Sequence, residues 1–114
     1  MEPFWEYLDK LIEESEVVID RPKGSSHPKY NSFVYPIDYG YIKGTTSNDS
    51  HEVDVWIGSI DNKYLDSVIC TVDALKKDIE LKLLLGCSEE EKVKILNFHN
   101  KSKFMSAIII MREK

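Results

Sequence analysis

Val53-Asp54-Val55-Trp56-Ile57 changes character at every second residue, the signature of a β-strand, and similar runs recur at short intervals on either side. Upstream, Glu16 to Asp20 is a short β-prone run stopped by Pro22, and Phe33 to Ile42 is aromatic and extended in character. Downstream lie Leu65 to Val72, Glu80 to Leu85 and Met105 to Met111. Polar turns join most of them, and the segment from Arg21 to Ser32, rich in Pro, Gly, Ser and Lys, reads as loop. So many short strands at such spacing predict a small barrel or a curled antiparallel sheet.

Two helices flank this series. Phe4, Trp5, Leu8, Leu11 and Ile12 recur at helical spacing, with Glu6, Asp9, Lys10, Glu13 and Glu14 on the outer side and Pro3 at the start. Ser88 and Glu91 have capping-box spacing, so a second helix begins there. It is expected to turn Val93, Leu96 and Ile95 inward and to end near Asn100.

With 114 residues, 42% of them hydrophobic, the chain can bury one ordinary core, and residues 1–114 read as one domain. The opening residues Met1 to Glu6 lack the basic start and apolar run of a signal peptide. The uncharged stretch Met105 to Met111 is far too short to span a bilayer. Cys70 and Cys87 show no ligand spacing and read as small core residues of a reduced, cytoplasmic protein. A net charge of −5 without a Lys/Arg stripe argues against nucleic acid as partner. An acidic protein can still bind a polyphosphate when divalent cations lie between the two sets of negative charge.

Strand alternation puts Asp54 and Trp56 on one face, opposite Val53, Val55 and Ile57, and puts Asp78, Glu80 and Lys82 opposite Ile79, Leu81 and Leu83. Asp49, in the preceding turn, is a third source of acid. Two readings stand: these are solvated polar faces, or they converge on a site. Two carboxylates roughly 5 Å apart repel by about 3 kcal/mol at an effective dielectric of about 20, so a convergent group requires a cation. Oxygen ligands of this kind suit Mg²⁺ or Mn²⁺. Tyr35, Tyr39 and Tyr41 share strand parity, and their hydroxyls can bind phosphate oxygens or line a core. Arg21, Lys23 and Lys29 can hold phosphate or be solvated loop residues.

The stretch Val34-Tyr35-Pro36-Ile37-Asp38-Tyr39-Gly40-Tyr41-Ile42 resembles the Y-P-x-N-Y-G-Y-I segment of soluble family I inorganic pyrophosphatases. Asp49-Ser50-His51-Glu52-Val53-Asp54-Val55 is similar to the family's D-x-D-P/E-x-D-V signature, with His51 at the middle aspartate. Ile19-Asp20-Arg21-Pro22 with Lys29-Tyr30 resembles the I-E-x-P…K-Y segment, and Asp78-Ile79-Glu80-Leu81-Lys82 a shortened D…E-D-x-K region.

The resemblance implies an OB-like barrel of five strands, closed or partly open, with the N-terminal and C-terminal helices outside. It implies hydrolysis of inorganic diphosphate, or of another small phosphoanhydride, by a water activated on Mg²⁺ or Mn²⁺. Asp49, Asp54, Asp78, Glu80 and Asp20 match metal-shell positions. Lys29 and Lys82 match phosphate-side lysines, and Tyr39 matches the tyrosine near the attacking water. Arg21 and Tyr35 take no role from the resemblance and are substrate-contact candidates by residue type, with Arg21 or Lys23 as a substitute for the family's arginine. His51 either replaces the missing base or is a turn residue. The family's hairpin between the K-Y and Y-P motifs is absent, and with it an acidic residue and an arginine. A non-catalytic phosphate- or nucleotide-binding descendant is the alternative reading. The family commonly assembles, so a homo-oligomer is expected.

Overall fold

A computed structural model describes residues 3–112; Met1 and Glu2 of the non-basic opening lie outside the described residues. The element order is α1 (Phe4–Glu13), β1 (Glu16–Arg21), β2 (Asp38–Lys43), β3 (Val53–Ile57), β4 (Leu65–Asp73), β5 (Asp78–Leu85), α2 (Glu89–Asn100) and β6 (Met105–Met111). The fold is mainly β. Its six strands form one sheet in the order β1-β2-β3-β5-β4-β6, open between β1 and β6, so it has one strand more than expected and is not closed. Neighbours run antiparallel except β3 and β5, which are parallel with Val55 opposite Leu83 and Trp56 opposite Leu84. Among the described residues no helix is long and apolar enough to cross a membrane.

Alternation along β3 and β5 divides the interior in two. Val55, Ile57, Leu83 and Leu85 join Ile42, Leu65 and Val68 in an aliphatic cluster, covered by Trp5, Leu8, Leu11 and Ile12 of α1. Arg112 holds α1 down by donating two hydrogen bonds to the Asp9 carboxylate, at 2.9 and 2.8 Å. The cover is partial. Ile79 and Leu81, expected inside, are 70% and 40% exposed, because an open hollow lies between them and Leu8 and Leu11 of α1.

Trp56 and Leu84 point the other way into a second core with Tyr35, Ile37, Ile69, Cys87, Ile95 and Ala107. This face was expected to carry Asp54 and an aromatic ring on an open surface; instead α2 and the loop before β2 close over Trp56, which is fully buried. The extended run expected over Phe33–Ile42 becomes a strand only from Asp38. Pro36, which has no N–H to give to a ladder, precedes it in a loop that folds back through Gly24 N–H to Tyr35 O and Tyr35 N–H to Ser25 O, both 2.9 Å. That turn carries Tyr35 into the core. Gly40, next to Tyr39, is obligatory: a Cβ there would lie 1.8 Å from the Val18 carbonyl oxygen.

The capping box of α2 forms as expected, Ser88 accepting from Glu91 N–H and Glu91 from Ser88 N–H. The buried side chains are Lys92, Ile95 and His99, with Leu96 and Phe98 partly covered, while Val93 is exposed. Lys92 lies along the core by its stem and extends its ammonium to Asp66 at 2.6 Å and Glu89 at 3.0 Å. A lysine on the inner face disguises the helix's true stripe.

Candidate functional site

Parallel pairing of β3 with β5 places Asp54 beside Lys82, and the antiparallel β2 brings Tyr39 alongside. The three meet. Lys82 Nζ donates to Tyr39 Oη at 2.8 Å, to Asp54 Oδ2 at 2.9 Å and to Glu80 Oε1 at 3.2 Å. Tyr39 Oη in turn donates to Asp54 Oδ2 at 2.8 Å. Lys82 is only 6% exposed, so the ammonium is satisfied entirely by this group.

The electrostatics follow from the burial. Desolvation pulls the Lys82 pKa down, but Tyr39 and the charges of Asp54 and Glu80 outweigh it and the net shift is upward. Burial drives the Tyr39 hydroxyl above its ordinary value, with Asp54 adding to the shift and Lys82 opposing it. At neutral pH Lys82 is therefore a cation and Tyr39 a neutral phenol.

Two hollows border this cluster, with Glu80 in the walls of both. The smaller, about 170 Å³, has Asp54, Glu80, Ser47 and Asn48 among its walls. The larger, about 450 Å³, lies on the Trp56 side and includes Arg21, Tyr35, Tyr39, Glu80 and Lys82. The Arg21 guanidinium donates to the Tyr35 hydroxyl, whose ring lies 5.3 Å from that of Tyr39. Tyr41, opposite Asp54 in the ladder, lines neither hollow.

The remaining expected site residues are placed elsewhere. Asp49 is exposed and closes its own turn, accepting from Ser47 Oγ at 2.6 Å and from His51 N–H at 3.0 Å. These bonds, the Ser47 hydroxyl first, hold its carboxyl below the usual range. His51 is exposed beside it and lines neither hollow. Asp20 and Lys29 are exposed, and Asp78 sits at the first rung of β5 opposite Asp73; none of the three lines a hollow. Among the described residues no three His, Cys, Asp or Glu side chains gather as a metal-ligating group. Asp54 and Glu80 are the expected ligands brought together, and a lysine sits between them.

Two histidines on the wall of the larger hollow had no sequence motif to mark them. His99 Nε2 accepts from Trp56 Nε1 at 3.2 Å, and burial lowers its pKa to about 3. Its helical spacing from Lys92 and Ile95 was the one available signal. His27 Nδ1 accepts from the Lys29 and Tyr30 N–H groups at 3.0 and 3.3 Å, so the neutral ring carries its proton on Nε2. Burial first, then Arg21, lowers its pKa.

A family model described as Inorganic Pyrophosphatase matches residues 11–112. An inorganic pyrophosphatase from Neisseria gonorrhoeae superimposes with a TM-score of 0.62 at 17% identity, over 79% of this chain and 77% of that one. The enzyme from Helicobacter pylori gives 0.59 at 17% identity, over 85% and 82% of the two chains. A Coxiella burnetii pyrophosphatase gives 0.60 at 14% identity, over 86% and 84%. At these identities the likeness is one of fold. No curated protein matches the chain in sequence. With nine-tenths of its length covered by the family model and its strands arranged as in three bacterial pyrophosphatases, the chain belongs to the inorganic pyrophosphatase family.

Proposed function

We propose that the protein acts on inorganic diphosphate, or another small phosphoanhydride, and cleaves it with water to two phosphates. The observation that supports this reading is the meeting of Tyr39, Asp54, Glu80 and Lys82, from three strands, in the walls of two hollows. Arg21 and Lys82 are the cations for phosphoryl oxygens, Lys82 by turning over its longest bond, 3.2 Å to Glu80, and the Tyr35 and Tyr39 hydroxyls are neutral partners. Among the described residues Asp54 Oδ1 makes no hydrogen bond, which leaves it free to orient the attacking water and accept its proton. Charge that builds on the departing phosphate falls to Lys82 and Arg21.

The family implies Mg²⁺ or Mn²⁺, for which Asp54 and Glu80 are the acids at hand. They do not form a cage for several resident ions, since Asp49, Asp78 and Asp20 stand apart and Lys82 already neutralises one of two carboxylates. They do fit one ion carried in on the substrate, because Mg²⁺ is commonly held by one or two carboxylates plus substrate phosphates and water. Asp54 and Glu80 would hold it, and when bound it supplies Lewis-acid polarisation of the phosphoryl group.

Phosphate release from diphosphate with Mg²⁺ or Mn²⁺ tests the reading. Asp54→Asn should lower turnover by on the order of a hundredfold or more, and equal rates for the two proteins would overturn the assignment. His51→Ala should leave turnover unchanged, because its turn is exposed and outside both hollows. A second reading, a binder without hydrolysis, is favoured by the neutralisation of Asp54 and Glu80 on Lys82. Saturable diphosphate binding with no phosphate release under either metal would establish it. The free thiols Cys70 and Cys87 suit a reducing, cytoplasmic setting, and assembly as a homo-oligomer is part of the same proposal.

A further inference from the structure

Free diphosphate is a poor match for most of the larger hollow. It is a small, heavily hydrated polyanion, and setting it against hydrocarbon gains nothing and costs hydration. Yet the cavity measures about 450 Å³, within the range that takes organic ligands, and away from Lys82 its wall is aromatic. Tyr30, Phe33, Phe98 and Phe104 make that end, while Arg21 and Lys82 make the other. The aromatic end is incompletely covered: Tyr30 is 56% and Phe104 44% exposed. Tyr30 and Phe33 meet edge to face at 6.2 Å, and Phe33 and Phe98 at 5.8 Å, so the group is an ordered set of rings.

Polar groups are interleaved with these rings. His27, with its proton on Nε2, and Ser102 share the wall, as do the hydroxyls of Tyr30 and Tyr35. A plain hydrocarbon chain would bury these groups without partners, which is costly; a flat heterocycle can stack on the rings and hydrogen-bond at its edge. The charged end selects anions in a protein of net charge −5: there Arg21 and Lys82 oppose Glu80, while Lys76 and Asp73 stand at the aromatic end beside Phe104, whose carbonyl accepts from Ala74 N–H at 2.8 Å. Of these acids Asp73 is engaged by the Leu75 and Lys76 N–H groups at 3.0 and 2.9 Å, and Glu80 by Lys82.

We propose that this cavity is a nucleotide site, in which the aromatic end holds the base and the phosphoanhydride of a nucleoside di- or triphosphate reaches Lys82 and Arg21. It rests on the reading that the Tyr39–Asp54–Lys82 cluster receives a phosphoanhydride, and adds the organic group that the anhydride carries.

Equilibrium binding to the full chain, with Mg²⁺ present, separates the two. The probes are ADP, ATP, adenosine, inorganic diphosphate and geranyl diphosphate. ADP or ATP should bind at least about tenfold more tightly than diphosphate, as one stacked base permits. Phe104→Ala, at a half-exposed position, and Phe33→Ala should each remove most of that advantage while leaving diphosphate affinity within about twofold. Circular dichroism and melting temperature identify any variant that fails to fold, and Phe104→Ala alone then decides. Diphosphate binding equal to or tighter than ADP overturns the nucleotide site and leaves the phosphoanhydride reading standing. Geranyl diphosphate binding more tightly than ADP overturns it in favour of an aliphatic occupant. Failure of every probe to bind sinks both.

Discussion

The two faces of one sheet have gone separate ways. On the Val55 side the buried residues are aliphatic throughout, and α1 lies across them as a simple cover. On the Trp56 side Tyr35, Tyr39, Phe98 and His99 surround the indole, and a salt-bridged lysine sits among them. The same strands supply both, since Val55 and Trp56, or Leu83 and Lys82, differ by one step along the chain. Hydrocarbon packs without regard to polar partners, so the first face can only stabilise. Aromatic residues bring hydroxyl, indole and imidazole groups that require partners, and the second face has built its hollow around satisfying them.

The largest expected effect lies on the Trp56 side. Lys82→Met leaves Asp54 and Glu80 together without their cation and should cost about 3 kcal/mol of stability, by analogy with broken buried pairs. Millimolar Mg²⁺ should then raise the melting temperature of the variant more than that of the parent. Equal responses to Mg²⁺ would mean that the two acids do not need the lysine. Ile42→Ala, on the aliphatic side and outside both hollows, should cost a similar or slightly smaller amount, about 2–3 kcal/mol in denaturant unfolding. It should leave ligand affinity intact at temperatures where the fold persists. A matching loss of affinity would show that the faces are not independent.

Acid should discriminate between them next. His99 is neutral in the fold, with its pKa depressed to about 3. The unfolded chain, with an ordinary histidine value of about 6.5, therefore binds more protons at intermediate pH. Stability conferred by the buried neutral ring is complete above about pH 6.5 and declines as pH falls toward 3, by at most about 1.4 kcal/mol per unit. His99→Gln, which keeps an acceptor for Trp56 but does not titrate, should flatten that dependence when melting is followed from pH 7 to 5. An unchanged slope would remove His99 from the account. The smallest effect belongs to Ile79, 70% exposed at the rim of the smaller hollow. Ile79→Ser should change stability by less than about 0.5 kcal/mol; a concentration-dependent loss would reveal that a second copy covers this end of the Val55 side.

Much of this contrast could be read from the chain before folding. Alternation placed Asp54 with Trp56, and Glu80 with Lys82, and those residues do share a face. Ser88 and Glu91 announced the start of α2, and the uncharged run Met105–Met111 is β6. What escaped was decided by covering and by local backbone bonding. Nothing in the spacing of β3 shows that α2 will fold over Trp56, so a buried face looked like an open one. Asp49 precedes Asp54 by five positions, yet its carboxylate satisfies the backbone of its own turn. His27 and His99 stand alone in sequence and acquire meaning only from Trp56 and from two backbone amides.

The parallel course of β3 and β5 has an effect on assembly. Strands running the same way cannot be joined by a short turn, so the chain travels out through β4 before returning, and Asp54 and Lys82 stand 28 positions apart. Contacts of that span form after local ones, since the ends must first be brought together. The lysine and its acids therefore come together only when the centre of the sheet has closed, and a nascent chain that stops short of Lys82 has one helix and its antiparallel pairs but not this cluster.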